Sequence, residues 1–243
     1  MSYLVDGYHG ETAAMAPVNE RVAFIRRTYA TLGGAVLAWI AASTALIATG
    51  LAEQIIRDVF LANRMMSWLF LMIVFMVGSV AAQYMARSRS SVGTQYAGLA
   101  LYVGLYTLLF VPILTIASQP KYGGSPQLPL QAGIVTLAVF GGLTLAVFMS
   151  GKDFSFMGPV LMVGSFAALG LILAAVLFGF SLGLVFAAAM VALFAGFIIY
   201  DTSNVIHRYS TNEHVAASMA LFGSFAMLFY YILSIFMSVG RDD

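Results

Sequence analysis

The chain has 243 residues, of which 61% are hydrophobic and only 9% are charged. A soluble domain has about 25% charged residues, so a water-soluble fold would leave most of this apolar surface in water. The net charge of +1 gives no basis for nucleic acid as a partner, and the absence of cysteine excludes disulfide frameworks, thiolate metal sites and thiol catalysis. The composition therefore predicts an all-α, multi-pass protein whose main partner is the lipid bilayer.

The N-terminal segment differs from the rest of the chain, because residues 1–20 carry acids, Gly, Ala and Pro without helical or strand periodicity. They lack the basic region, short apolar core and small-residue cleavage site of a secretory signal, so the first apolar run is expected to stay in the mature protein. We therefore predict a flexible cytoplasmic tail at 1–20 and a transmembrane domain at 21–243.

Seven apolar runs lie between clusters of charged residues. Each is long enough to span a membrane, because a bilayer core about 30 Å thick needs about 20 residues in a helix. The fifth and sixth runs are separated only by residues 179–181, so a six-span arrangement is the alternative; it would require one helix far longer than a bilayer needs. The seven predicted spans are 28–50, 66–86, 96–118, 130–150, 156–178, 182–206 and 215–239.

The orientation follows from the basic residues of alternate loops. Seven lie on the side of the N-terminus and four on the other side, which predicts a cytoplasmic N-terminus. An odd number of spans then places the C-terminus outside. The seven are Arg21, Arg26, Arg27, Arg87, Arg89, Lys152 and Arg208, and the four are Arg57, Arg64, Lys121 and Arg241.

Three polar residues of the predicted inner loops are candidates for specific roles. Asp153 stands just before the fifth run, where its carboxylate is expected to cap the helix by accepting free backbone N–H groups. His207 and His214 flank the turn after the sixth run, and we interpret them either as solvated loop residues or as sensors of cytoplasmic pH.

One ionisable residue, Asp201, lies well inside a predicted span. If the sixth run ends near His207, Asp201 lies roughly 9 Å below the membrane edge, where an unpartnered carboxylate is costly. Asn204, three residues on, is expected to hydrogen-bond with it, and Arg87 at the inner end of the second run is expected to form a salt bridge with it. Asp201 therefore belongs either to an ion or proton pathway or to a structural ion pair.

The sequence contains no complete set of catalytic residues for the two protease mechanisms that its polar residues suggest. An intramembrane aspartyl protease needs two carboxylates that share a proton, and Asp201 has no acidic counterpart in the last run. A serine nucleophile at Ser224 would need a nearby base, but His214 lies ten residues earlier on the same helix, about 15 Å away along its axis. We therefore expect no enzymatic activity and no cofactor.

Three motifs occur in a fixed order along the seven runs: FIRRTY at 24–29, GKDFSFMG at 151–158 and IYDT at 199–202. Their order and spacing resemble the Bax inhibitor-1 family, also called the transmembrane Bax inhibitor motif family, in its bacterial branch. The resemblance covers most of the chain. It implies a seven-helix fold in which a central helix is wrapped by the others, in the inner membrane of a bacterium.

In the resembled family, two aspartates of the sixth and seventh helices share protons and control the opening of a leak. Asp201 matches the first, and Ser224 stands at the expected position of the second. A hydroxyl can hydrogen-bond with Asp201 but cannot share its proton as a second carboxylate would. Together with Asn204, these two side chains are a weak ligand set for calcium, which prefers about six to eight oxygens.

The resemblance implies a pH-sensitive leak of cations, with calcium as the transported ion. This hypothesis assigns the ion pathway and pH sensing to Asp201, Ser224, Asn204 and Arg87. The alternative is a regulatory protein without conduction of its own, which binds another membrane protein. Family members have been associated with calcium leak, with suppression of cell death and, in bacteria, with modulation of a membrane-bound protease.

Overall fold

The computed structural model describes residues 12–61, 64–88 and 91–239, and within these ranges the chain is almost entirely helical. A π-helical turn at Ile56–Leu61 continues α2, and a short 3-10 turn at Pro120–Tyr122 precedes α5. The helices are α1 (Val18–Ala48), α2 (Leu51–Ile55), α3 (Arg64–Ala86), α4 (Val92–Ser118), α5 (Gln127–Ser150), α6 (Met157–Phe178), α7 (Gly183–His207) and α8 (His214–Val239).

Seven of the described helices, α1 and α3 to α8, are long and apolar enough to cross a membrane. The predicted all-α architecture with seven spans is therefore confirmed. The six-span alternative, in which the fifth and sixth runs form one long helix, is wrong, because α6 ends at Phe178 and α7 begins only at Gly183. Gly179 and Gly183 both have positive φ angles, of 73° and 65°, which interrupt the helix at a position where other residues would be strained.

Helix α8 forms the centre of the bundle. It packs against α1, α3, α4, α5 and α7, whereas α6 lies at the periphery and packs on α7. Buried residues occur all around α8, including Leu221, Phe222 and Leu228, which are fully enclosed. A helix that is apolar on every side requires such a central position or contact with lipid. The arrangement agrees with a central helix wrapped by the others.

The connections alternate between two ends of the bundle. Arg208, in the α7–α8 loop, donates a hydrogen bond from Nη2 to Ser155 Oγ in the α5–α6 loop at 2.7 Å. At the other end, the Lys121 ammonium lies 4.0 Å from the Glu53 carboxylate. We refer to the end that holds residues 12–17, 151–156 and 208–213 as the N-terminal face, and to the opposite end as the far face.

The predicted tail at 1–20 requires correction. Residues 1–11 lie outside the described residues, but 12–16 pack on the bundle. Thr12 and Ser210 form an isolated antiparallel β-bridge, and Ala13 N donates to Tyr209 O at 2.8 Å. Ala13 is completely buried, and α1 already begins at Val18. Sequence periodicity could not predict this contact, because a single backbone pairing by a short, Ala-rich segment produces no repeating pattern.

Candidate functional site

Asp201 of α7 and Ser224 of α8 lie side by side inside the bundle. Ser224 Oγ donates a hydrogen bond to Asp201 Oδ2 at 2.5 Å, and both side chains are buried. The structure thus brings together the two positions at which the resembled family carries its aspartates. A hydrogen bond between two buried polar groups satisfies both of them, so the pair stabilises the contact between α7 and α8.

Two tyrosines of α4 approach the backbone of α8 beside Ser224, because the neighbouring Gly223 has no side chain. A Cβ atom at Gly223 would lie 2.8 Å from Tyr102 Oη and 3.2 Å from Tyr106 Oη, closer than packed atoms tolerate. The two hydroxyls are 3.3 Å apart. Sequence reasoning missed these tyrosines, although their spacing of four residues within one span places both on the same helical face.

A cavity of about 360 Å³ extends from Asp201 toward the N-terminal face. Its lining combines polar groups of α3, α7 and α8 with a tyrosine of the α7–α8 loop. Arg87 belongs to this lining, so the structure brings Arg87 and Asp201 to the same cavity. The polar residues of the lining are Gln83, Arg87, Tyr102, Asp201, Tyr209 and Ser224.

The predicted salt bridge between Arg87 and Asp201 is not formed. No ion pair within 4.0 Å joins them in the described part of the chain, which includes both residues. Arg87 is exposed and follows the last residue of α3, Ala86, so its guanidinium can stay in water at the cavity mouth. Oδ2 of Asp201 is instead engaged by Ser224.

Tyr209 lies at the mouth of the cavity, close to Arg87. Burial of its phenol raises the pKa of Tyr209 to about 12, the nearby Asp201 carboxylate adds to this increase, and the positive charge of Arg87 opposes it. The phenol is therefore neutral at physiological pH, and it adds no charge of its own to the cavity that Arg87 and Asp201 also line.

Asn204 does not make the hydrogen bond with Asp201 that its spacing predicted. Its side-chain oxygen is buried and finds no hydrogen-bond partner among the described residues. A residue three positions further along a helix is rotated by about 60° from the first, and Asn204 is absent from the cavity lining. Its backbone carbonyl accepts hydrogen bonds from Arg208 N and Tyr209 N, which fixes the start of the α7–α8 loop.

Asp153 does not cap α6, which contradicts the prediction from sequence. The helix begins at Met157, and its N-cap position has no side-chain hydrogen bond. Asp153 Oδ1 instead accepts from Ser155 N at 2.8 Å and from Ser203 Oγ at 3.3 Å, while Phe154 N donates to Ser203 Oγ at 2.8 Å. We call Asp153, Phe154 and Ser203 the loop clamp. Asp153 lies too far before the helix to cap it and ties the α5–α6 loop to α7.

Removal of the clamp hydroxyl by Ser203→Ala should lower the free energy of unfolding by about 1 kcal/mol, the usual contribution of one or two hydrogen bonds. Hydrogen bonds from Ser155 and Ser203 hold the pKa of Asp153 below its ordinary value of 3.8, so the Asp153 contribution is present at neutral pH. It is lost only as the pH falls through that lowered pKa. Thermal unfolding in detergent at pH 7 measures the effect.

Ser165→Ala is the matched control for the clamp, because the Ser165 hydroxyl bonds to Leu161 O of its own helix. It should leave the melting temperature nearly unchanged. Equal melting temperatures for Ser203→Ala and Ser165→Ala would contradict a stabilising clamp.

The two histidines flank the α7–α8 loop and are both partly buried. His207 Nδ1 lies 3.0 Å from Ser203 O, and His214 Nε2 lies 3.3 Å from Tyr96 Oη. Each ring therefore has a partner in the folded protein. Neither contributes to the lining of the Asp201 cavity. Their function as pH sensors stays a prediction.

The fold and the site define a class of protein: a polytopic α-helical membrane protein with a carboxylate and a hydroxyl paired at its central helix. Residues 21–241 match the family model described as inhibitor of apoptosis-promoting Bax1. The chain therefore belongs to the Bax inhibitor-1 family, as its motifs predicted.

Relatives of similar length come from animals, fungi and viruses. The chain is 30% identical to protein lifeguard 4 of Mus musculus, over 97% of this chain and 93% of the relative. It is 30% identical to Bax inhibitor 1 of Schizosaccharomyces pombe, over 92% and 79% of the two chains. It is 29% identical to the Golgi anti-apoptotic protein of Vaccinia virus strain Lister, over 95% and 91%.

Proposed function

We propose that the protein is a pH-sensitive cation leak of the Bax inhibitor-1 type in the inner membrane of a bacterium, with calcium as the permeating ion. The observation that carries the proposal is Asp201, a carboxylate that lies inside the bundle, borders a cavity and pairs with Ser224. Ionisable residues at such depth are rare and commonly mark ion or proton paths. The bacterial location rests on the resemblance of the motifs.

The protonation state of Asp201 is the proposed switch. An ionised carboxylate in the bundle requires compensation by hydrogen bonds, cations or water, whereas the protonated acid does not. The bond from Ser224 supplies one such partner, and the cavity extends from the site toward the N-terminal face. A change of cytoplasmic pH would therefore alter the balance between a dry and a hydrated cavity.

Calcium at this site would be held mainly by water. No group of three or more His, Cys, Asp or Glu side chains comes together anywhere in the described ranges. Asp201, Ser224 and the hydroxyls of Tyr102 and Tyr209 supply oxygens around the cavity, fewer and less charged than a strong calcium site requires. The proposal is thus for transient passage rather than tight binding, which suits a leak.

The same geometry bears on the role of Ser224. Ser224 donates its hydrogen bond to Asp201, and no histidine lines the described cavity to act as its base. We therefore propose that Ser224 is a partner of the buried acid and not a nucleophile.

A non-conducting regulator of another membrane protein, such as a membrane-bound protease, is the second candidate. It is favoured by the aromatic cluster of Trp39, Phe110, Phe222 and Phe229, which continues from the tyrosines toward the far face. Phe229 lies five residues beyond Ser224, or about 7.5 Å further along α8. The packed rings of this cluster therefore lie along α8 between the site and the far face.

Flux of calcium from liposomes decides between the two candidates. Purified protein should release encapsulated calcium at a rate that changes with external pH, whereas protein-free liposomes should not. A flux equal to that of empty liposomes at every pH would reject the leak and favour the regulator. Ionophore added at the end confirms that the vesicles held calcium throughout.

The orientation provides a separate test. A reporter at the N-terminus should be cytoplasmic and one at the C-terminus should be on the other side, because seven basic residues lie on the N-terminal side against four on the other. Paired fusions active in opposite compartments measure this directly. Both termini in one compartment would contradict an odd number of spans.

A further inference from the structure

The N-terminal strap, residues 12–16, packs against the α7–α8 loop, whose Tyr209 lines the Asp201 cavity. The strap is a compact turn, in which Met15 N and Ala16 N both donate to Thr12 O, at 2.9 and 3.1 Å. Ala13 and Ala16 are buried, while Met15 remains 81% exposed. The strap therefore has an inner side of two alanines that fit against the bundle.

The attachment point of the strap is the backbone of Tyr209. Ala13 N donates to Tyr209 O at 2.8 Å, and Thr12 pairs with Ser210 in the β-bridge. On its other side, Tyr209 N donates to Asn204 O at 3.1 Å. The peptide groups on both sides of Tyr209 are thus fixed, one by α7 and one by the strap.

The side chain of Tyr209 belongs to the cavity and not to the strap contact. Its ring forms part of the cavity lining with Arg87 and Asp201, on the side of the N-terminal face. Tyr209 thus combines a backbone carbonyl that is bonded to the strap with a side chain that lines the cavity. A shift of the Tyr209 backbone would therefore move a side chain that lines the cavity together with Asp201.

We propose that the N-terminal strap positions Tyr209 as a gate over the Asp201 cavity, and that release of the strap admits water to the buried acid. The inference deepens the proposed function, because it adds a regulatory element to the same site. It depends on the proposed function only for the passage of ions. The entry of water into the cavity is tested separately. The element that controls the gate is the strap, a segment of the same chain.

Thiol labelling tests access to the cavity without any measurement of flux. The sequence has no cysteine, so Ala220→Cys introduces a single reporter into the cavity lining. The labelling rate with a charged, water-soluble methanethiosulfonate is measured in lipid nanodiscs. Ala13→Glu places a charge at a completely buried position and should release the strap. The labelling rate of the cavity reporter should then rise about tenfold or more, since loss of the contact favours the open loop.

Three controls separate the gate from general loosening. Ala14→Glu adds the same charge at the adjacent exposed residue and should change the rate less than about twofold. A core reporter made by Ala132→Cys, at a completely buried position of α5 away from the cavity, should stay protected in both variants. Tyr209→Ala removes the ring and should raise the rate of the cavity reporter with the strap in place.

The double variant Ala13→Glu with Tyr209→Ala decides whether the strap acts through Tyr209. Its labelling rate should equal that of Tyr209→Ala alone. A further increase in the double variant, an unchanged rate in Ala13→Glu, or equal gains for the cavity reporter and the core reporter would each overturn the proposal. Absence of calcium flux with the expected labelling pattern would reject the leak and leave the gate intact.

Discussion

Asp201→Asn should make calcium flux independent of pH while the protein stays folded. The amide has nearly the shape of the carboxylate and can still accept the hydrogen bond from Ser224, but it cannot ionise. A pH effect that shifts the equilibrium between closed and open states by about 1.4 kcal/mol changes flux about tenfold, and this dependence should disappear. Liposome flux measured from about pH 5 to about pH 8 tests the expectation, over the range in which side chains can switch charge near neutrality.

Ser224→Ala is the matched control for that experiment. It removes the hydroxyl that bonds to Asp201 but leaves the acid in place, so flux should still depend on pH. Ser224→Asp should instead create the carboxylate pair that the resembled family carries, with two coupled titration steps and a higher affinity for calcium. If Asp201→Asn retains the pH dependence of the native protein, the sensor lies elsewhere, and His207 and His214 become the next candidates.

Trp39→Ala should lower the free energy of unfolding by about 3 kcal/mol, the range observed when a large buried ring is removed. Trp39 is buried at the centre of the aromatic cluster and meets Phe110, Phe222 and Phe229 edge to face, with ring centroids 4.9 to 6.0 Å apart. Lipid is as apolar as the interior, so the loss comes from packing contacts and the cavity left behind. Thermal unfolding or titration with a denaturing detergent measures it.

Two further substitutions identify the cause of the Trp39 effect. Trp39→Phe keeps an aromatic ring and removes an indole N–H that has no hydrogen-bond partner among the described residues, so it should cost much less than Trp39→Ala. Leu37→Ala truncates a side chain that is 68% exposed on the same helix and should be close to neutral. Similar losses for Leu37→Ala and Trp39→Ala would show that helix insertion, and not the cluster, limits stability.

The spans and the buried acid were predictable from sequence, because both depend on one strong physical effect. Long apolar runs must form helices in lipid, and their ends are marked by charges. Asp201 stands out for the same reason. Its contact with Ser224 was expected only through the resemblance, since the two residues are 23 positions apart on different helices.

The contacts of loops and short segments were not predictable in the same way. Asp153 was expected to bond with its own helix, yet it reaches Ser203, 50 residues away. Asn204 has the correct spacing for Asp201 but makes no side-chain oxygen hydrogen bond with it or with any other described residue. The pairing of Ala13 with Tyr209 uses only backbone atoms, for which the sequence carries no side-chain signal. Each depends on tertiary positions that local periodicity does not contain.

The central position of α8 has a consequence for biogenesis. The helix against which α1, α3, α4, α5 and α7 all pack is also the last of the seven described spans in chain order. Until it inserts, these helices lack their common packing surface, and the nascent bundle exposes the faces that α8 later covers. Chains that terminate before His214 should therefore be recognised by quality control as unassembled.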